Sequence, residues 1–392
     1  MTTLRKLLFW THLASGLVAG VVIAIMSATG IAIAFEQEIL GYIDRDVSRV
    51  EIPPDATRQS LSDLRATLAY ERPTFRATSV IVLADPEQAL RFQAGRTGTL
   101  YVDPYTGAIA EPRAGPAHDI LHTLEDWHRW LGQDGESRAT GRLITGICNA
   151  AFLVLCLTGL YLWWPKALRW PVLRRALWFA KTKTSKARDF NWHNVFAIWS
   201  LPVLVVLVTT AIVISFGWAH DLVFRLSGEE PPEFRDFRMM MVPAPVVPTP
   251  PPAAELLGED AIVNRLIAHH PDWRAILFNF PRPTSTPAEP AAPLDITVIE
   301  PAPFMTAGRV MLHIDPYTGE ELQSTAFADR SPGLRARVWI RFLHTGEAFG
   351  LIGKVIATLA TAASLVLVYT GFALSWRRFV GPRRSNHAPT TS

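Results

Sequence analysis

The chain has 392 residues, 49% of them hydrophobic and 19% charged, with a formal net charge of +3. The charge lies outside four apolar runs, 7–35, 143–164, about 195–218 and 351–376. These runs exclude an ordinary soluble globule, because soluble helices keep a polar stripe that these mostly lack, and nucleic acid is not implied.

Each run exceeds the ~20 residues that cross ~30 Å of hydrocarbon at ~1.5 Å per residue. The first, 7–35, is too long for the ~7–15-residue apolar core of a signal peptide and is expected to stay as an anchor. Residues 36–116 form a first small α+β module. It holds a helix at 61–69, capped by Ser60 or Ser62, and strands at 79–83, 90–93 and 99–102. An interfacial helix and the second span occupy 117–164, a basic loop 165–190, and the third span 191–218. A linker, 219–252, follows; its part 231–252 holds eight prolines and is expected to be stiff and non-helical. The second module, 253–335, has a helix at 253–269 and strands at 275–279, 294–299 and 309–314. An interfacial segment with the fourth span, 336–376, and a tail, 377–392, complete the chain. The fold class is therefore a membrane α-helical protein: a four-helix transmembrane bundle with two small α+β modules.

The two halves repeat one plan. Asp103-Pro104-Tyr105-Thr106-Gly107 recurs as Asp315-Pro316-Tyr317-Thr318-Gly319, each after a strand and each with the Pro and Gly of a tight turn. The second and fourth spans begin with Gly141-Arg142 and Gly353-Lys354 and contain Thr158-Gly159 and Thr370-Gly371. These matches point to an internal duplication.

Charge fixes the orientation. The six residues before the first span, the 165–190 loop and the tail together carry fourteen basic residues and one acid, Asp189. Basic loops stay in the cytoplasm, so both termini are expected inside and both modules outside. No inner segment is long enough for a flavin or nicotinamide domain, and none carries G-x-G-x-x-G or G-x-x-x-x-G-K-[ST]. Cys148 and Cys156 are eight helical residues apart, ~12 Å along the axis, which is too far for a disulfide. The absence of C-x-x-C-H excludes covalent c-type haem.

Four histidines occupy matched places. His12 and His193 lie at the inner ends of the first and third spans, and His128 and His344 at the outer ends of the second and fourth. Thr29 follows His12 by 17 residues, and Thr209-Thr210 follows His193 by 16. Ionisable residues at membrane depth are costly and point to function. One interfacial histidine among tryptophans is ordinarily a belt residue, but two register-matched pairs suit axial ligation of haem iron by neutral imidazole. Two axial histidines leave no open iron position, which fits electron transfer. Gly16 and Gly20, on the His12 face, are expected to leave room for the macrocycle. His122, and less so His220, rival His128. His118, His269, His270, His313 and His387 are expected at the surface or in loops, and Met239-Met240-Met241 in packing.

Trp127-His128-Arg129-Trp130-Leu131-Gly132, Leu343-His344-Thr345-Gly346-Glu347-Ala348-Phe349-Gly350, Thr158-Gly159-Leu160-Tyr161-Leu162-Trp163-Trp164-Pro165 and the two Asp-Pro-Tyr-Thr-Gly turns resemble the PepSY-associated transmembrane proteins, often described as iron-regulated inner-membrane proteins. The resemblance covers nearly the whole chain. It implies four membrane helices in a bacterial inner membrane and two periplasmic PepSY-like modules. In members that reduce siderophore iron it implies two b-type haems, with His12, His128, His193 and His344 as the ligands carried over. The Pro-rich linker and Pro-heavy second module depart from the family pattern. The expected function is a dihaem b oxidoreductase that takes electrons from a quinol or a cytoplasmic reductase and gives them to a ferric siderophore. The alternatives are a haem-free scaffold binding a periplasmic partner, and a b-type carrier with another acceptor.

Overall fold

A computed structural model of the protein describes residues 3–95, 98–165, 169–234, 244–249, 254–281, 292–302 and 308–380. In the first half the helices are α1 (Thr3–Ile33), α2 (Glu36–Ile43), α3 (Arg45–Ser48), α4 (Leu61–Glu71), α5 (Gly115–Trp130) and α6 (Arg138–Trp163). In the second half they are α7 (Trp170–Leu177), α8 (Ser185–Ser215), α9 (Gly217–Leu226), α10 (Glu259–His269), α11 (Pro332–Thr345) and α12 (Gly350–Phe379). The strands are β1 (Ser79–Leu83), β2 (Leu90–Gln93), β3 (Thr99–Val102), β4 (Ile109–Ala110), β5 (Ala275–Asn279), β6 (Leu294–Ile299), β7 (Arg309–Ile314) and β8 (Glu321–Thr325). The chain divides into a helical unit, formed by residues 1–36, 120–223 and 339–392, and a sheet unit formed by 37–119 and 224–338.

The helical unit contains the four helices long and apolar enough to cross a membrane. α1 packs against α6 and α12, and α8 packs against the same two, so α1 and α8 lie on one diagonal of the bundle. Polar staples replace the hydrophobic driving force that lipid cannot supply. The Ser27 and Ser364 hydroxyls meet at 2.7 Å between α1 and α12, and the Asn149 amide donates to the Val208 carbonyl at 2.9 Å between α6 and α8. Cys148 and Cys156 are free and buried. The basic loop adds α7, which sequence periodicity did not single out. It is tied to α8 by the Trp199 indole N–H, which donates to the Leu177 carbonyl at 2.8 Å.

The sheet unit corrects one expectation. The two modules do not stand apart: their strands form one antiparallel sheet in the order β4-β3-β2-β1-β5-β6-β7-β8. β1 and β5 pair over their full length, from Ser79↔Asn279 to Leu83↔Ala275. Each is the first strand of its half, and each would otherwise present a row of unpaired backbone groups. Alternate residues on the strands, Val80, Phe92, Val102, Ile276, Ile296 and Leu312 among them, join Leu64 and Leu68 of α4 and Ile262 and Leu266 of α10 in one core. Ser60 caps α4 by accepting from the Asp63 N–H at 3.0 Å. Asp260 of α10 also accepts from the Leu61 N–H at 2.5 Å and the Ser62 hydroxyl at 2.7 Å. The expected helix 253–269 begins only at Glu259.

The repeated pentapeptides make the same turn twice. Asp103 Oδ1 accepts from the Tyr105 N–H and Asp315 Oδ1 from the Tyr317 N–H, both at 2.8 Å. Gly107 and Gly319 take φ of +74° and +70°, the left-handed region that glycine enters without a Cβ clash. These turns lead into β4 and β8, two strands the alternation of residues did not predict.

Two carboxylates anchor the starts of α5 and α11. The buried Asp44 accepts from the N–H groups of Arg113 and Ala114 at 2.7 and 2.8 Å and from the Tyr101 hydroxyl at 3.1 Å. Burial raises the Tyr101 hydroxyl above its ordinary pKa, so it stays a donor to Asp44. At the matching place Glu229 accepts from the Gly333 N–H at 2.8 Å and the Ser331 hydroxyl at 2.7 Å. Asp44→Ala leaves two backbone N–H groups without their acceptor, and a loss of roughly 3 kcal/mol in the stability of the sheet unit is expected in a urea titration.

Candidate functional site

The helical unit brings the four histidines together in two pairs. His12 and His193 face each other with ring centres 6.3 Å apart and planes at 83°. His128 and His344 do the same at 6.4 Å and 47°. His12 and His193 reach across the diagonal from α1 and α8. His128 and His344 come in from the last turns of α5 and α11. The pairs lie at opposite ends of the bundle: His12 marks one site and Thr29 the other on the same helix, and 17 residues of rise separate them by about 25 Å.

Each ring is held in the same way. His12 Nδ1 meets the Thr158 hydroxyl at 3.0 Å and His193 Nδ1 meets Thr370 at 2.8 Å. His128 Nδ1 lies 3.3 Å from the Thr29 hydroxyl and 2.8 Å from the Met26 carbonyl. His344 Nδ1 lies 3.3 Å from the Thr210 hydroxyl and 3.0 Å from the Leu207 carbonyl. All four threonines give their single hydroxyl proton to the carbonyl four residues back, at 2.6 to 2.7 Å. Toward the ring, each therefore offers only a lone pair. This network assigns the proton to Nδ1 in every ring, and a neutral imidazole so protonated presents its lone pair at Nε2.

The His128 and His344 rings are neutral at physiological pH. Burial, with the nearby His344, holds His128 down to about 4, and burial also lowers His344. The ring faces are kept clear by small residues that follow the threonines. A Cβ on Gly30 would lie 3.1 Å from the His128 ring, one on Gly159 3.2 Å from His12, and one on Gly371 3.7 Å from His193. The fourth such position is Ala211. Of the two glycines on the His12 face, Gly16 meets only the Leu155 side chain, at 3.7 Å from an added Cβ, and Gly20 lies under the Phe372 ring.

The four threonines were not predicted as partners of the histidines. Their signal was the Thr-Gly dipeptide, present at Thr29, Thr158 and Thr370, and the 17-residue spacing from His12 to Thr29. The structure selects Thr210, not Thr209, and so restores that spacing from His193.

Other histidines fall elsewhere. His122 is exposed, 3.7 Å from Asp126, and His220 is fully buried on α9. His118 and His269 are exposed on helices. His313 corrects the expectation of a surface or loop place: it is buried on β7, 2.8 Å from Asp295, by a strand pairing that is a long-range property. His270 lies in the connection after α10, between Glu300 at 2.7 Å and Glu321 at 3.3 Å. His387 and Met239-Met240-Met241 lie outside the described residues.

The donor set limits what the pairs can hold. Among the described residues no three His, Cys, Asp or Glu groups converge as metal ligands. A metal bound here would draw two protein ligands and need its remaining donors from a cofactor. Two metal–nitrogen bonds of about 2 Å and roughly 1 Å from each nitrogen to its ring centre add up to about 6 Å, matching both pairs. These residues fit an iron porphyrin, which two imidazoles would hold and which would supply one-electron chemistry. No curated protein matches the sequence. The family described as the PepSY-associated TM region matches residues 9–378, including all four paired histidines, all four threonines that hold them and nearly all of each membrane-length helix, and the chain belongs to that family.

Proposed function

We propose that the protein is an inner-membrane dihaem b electron-transfer protein that reduces a periplasmic ferric chelate, a ferric siderophore, and releases Fe(II). The observation that carries this reading is the ring-centre separation of 6.3 and 6.4 Å in two pairs whose Nδ1 atoms are all tied to threonine. His12 and His193 would hold one iron porphyrin through Nε2, and His128 and His344 the other. The threonine hydroxyls fix tautomer and ring angle, as outer-shell partners do at metal sites. Haem would supply a one-electron carrier at each membrane face. No general acid or base is called for, because the protein's part is to hold, space and tune the cofactors.

The basic loop and tail support placing both termini in the cytoplasm, so that the sheet-forming segments face the periplasm. The siderophore reading rests on the family resemblance, and the weaker grip of oxygen chelators on Fe(II) would drive release. The electron donor is a quinol or a cytoplasmic reductase. A pyridine-haemochrome assay on protein purified with haem supplied is expected to give two b-type haems per chain. A preparation without a Soret band would leave a haem-free scaffold as the reading. A reduced dihaem protein that no ferric siderophore reoxidises would leave a carrier with a different acceptor.

A further inference from the structure

A groove of about 550 Å³ opens between α1 and α12 at the inner end of the bundle, lined by Leu17, Tyr369, Phe372, Ala373, Trp376 and Arg377. We infer that this groove is the binding site for a membrane quinone, and that the quinol form is the donor; the inference rests on the electron-transfer reading above.

Three features carry it. The first is place. Tyr369 and Phe372 flank Thr370 and Gly371, the residues that touch His193, and Leu17 lies little more than one turn from His12. A ring in the groove is one helix wall from the inner histidine pair. The second is shape. Tyr369, Phe372 and Trp376 stand on successive turns of one face of α12, and Tyr369 and Trp376 remain 57% and 67% exposed, so their rings are free to stack on a flat partner. The volume is that of a small-molecule site, and both walls belong to membrane-length helices, so entry is from lipid. The third is polarity. Arg377 closes one end, held by its Nη1 on the buried Asp189 carboxylate at 2.5 Å. With Tyr369 it puts polar groups on otherwise apolar walls, and quinone oxygens need such partners.

A quinol bound here would leave as the quinone, giving two protons to water at the basic face and two electrons to the one-electron centres proposed above. The test is photolabelling of the detergent-purified full chain with azido-ubiquinone-2, followed by peptide mapping, with haem counted on the same sample. Label is expected on 369–380 or beside Leu17 and should be displaced by unlabelled ubiquinone-2. Ala373→Trp, which fills the groove, and Tyr369→Ala, which removes a stacking ring, should each lower labelling roughly tenfold without changing haem content or the dithionite-reduced spectrum. Label elsewhere, or label that ubiquinone-2 does not displace, overturns the site. Loss of haem in both variants assigns the groove to the porphyrin and also overturns it. A sample with two haems and no competable label removes the quinone and leaves a cytoplasmic reductase as donor. A sample without haem defeats the electron-transfer reading, whereas competed label at 369–380 in that sample still supports the groove.

Discussion

His193→Ala is expected to take one haem of the two and leave the other. His193 is the partner of His12 in one pair, and His128 and His344 form the other at the opposite end of the bundle. The variant would leave a single imidazole, His12, fixed by Thr158, to hold a haem at that site. Haem content should fall from two to one per chain, and the reduced spectrum should keep a single α-band component. His12→Ala should give the same result. His344→Ala should give the complementary one, keeping the component that His193→Ala removes. Thr370→Val separates ligation from orientation. It keeps the shape of the side chain and removes the acceptor at 2.8 Å from His193 Nδ1. Losing a hydrogen-bond partner of a metal-ligating ring lowers affinity about 10–100-fold, so the haem at His12 and His193 should be retained at high haem and lost on dilution. His122→Ala and His313→Ala should leave both haems in place. If His193→Ala removes neither haem, or removes both with an intact fold, the assignment of two independent pairs fails.

Much of this arrangement was legible in the sequence because it is local or periodic. The four spans follow from length and hydropathy. The strands at 79–83, 90–93, 99–102, 275–279, 294–299 and 309–314 follow from alternation and appear with those bounds. The pairing of histidines followed from their repeated register. Features set by distant segments were not legible. The β1–β5 pairing joins residues about two hundred positions apart, and no local pattern states that two edges will meet. The burial of His313 depends on β6 and β8, which pair with its own strand on either side. The threonines fall between these cases. Thr158-Gly159 and Thr370-Gly371 were visible as a repeat, but a hydroxyl that can bond its own helix gives no sign of a second partner until the helices are packed. Gly20 shows the same limit: a small residue records a close approach, here by Phe372, without naming what approaches.

Gly141 and Gly353 show how much depends on one such approach. Each sits in the first turns of a membrane helix, where alanine is ordinarily better than glycine by about 1 kcal/mol. Here an added Cβ would lie 2.1 Å from the Trp130 carbonyl oxygen at Gly141, and 2.2 Å from the Gly346 carbonyl oxygen at Gly353. Trp130 and Gly346 both stand two residues after an outer histidine. The obstacle is backbone in both cases, so no side chain can swing aside, and the end of α5 or α11 has to move away from the bundle. Overpacking of this kind costs about 3 kcal/mol or more even for alanine, which outweighs the gain in helix propensity. Movement there also carries His128 away from Thr29, or His344 away from Thr210, and breaks the 6.4 Å ring separation. Gly353→Ala is therefore expected to lower the thermal midpoint in detergent and to release the outer haem while the inner one stays, whereas Gly41→Ala, with nothing within 4 Å of its Cβ, should change neither. A Gly353→Ala protein that melts with the parent and keeps two haems would show that the approach of α11 to α12 does not position His344.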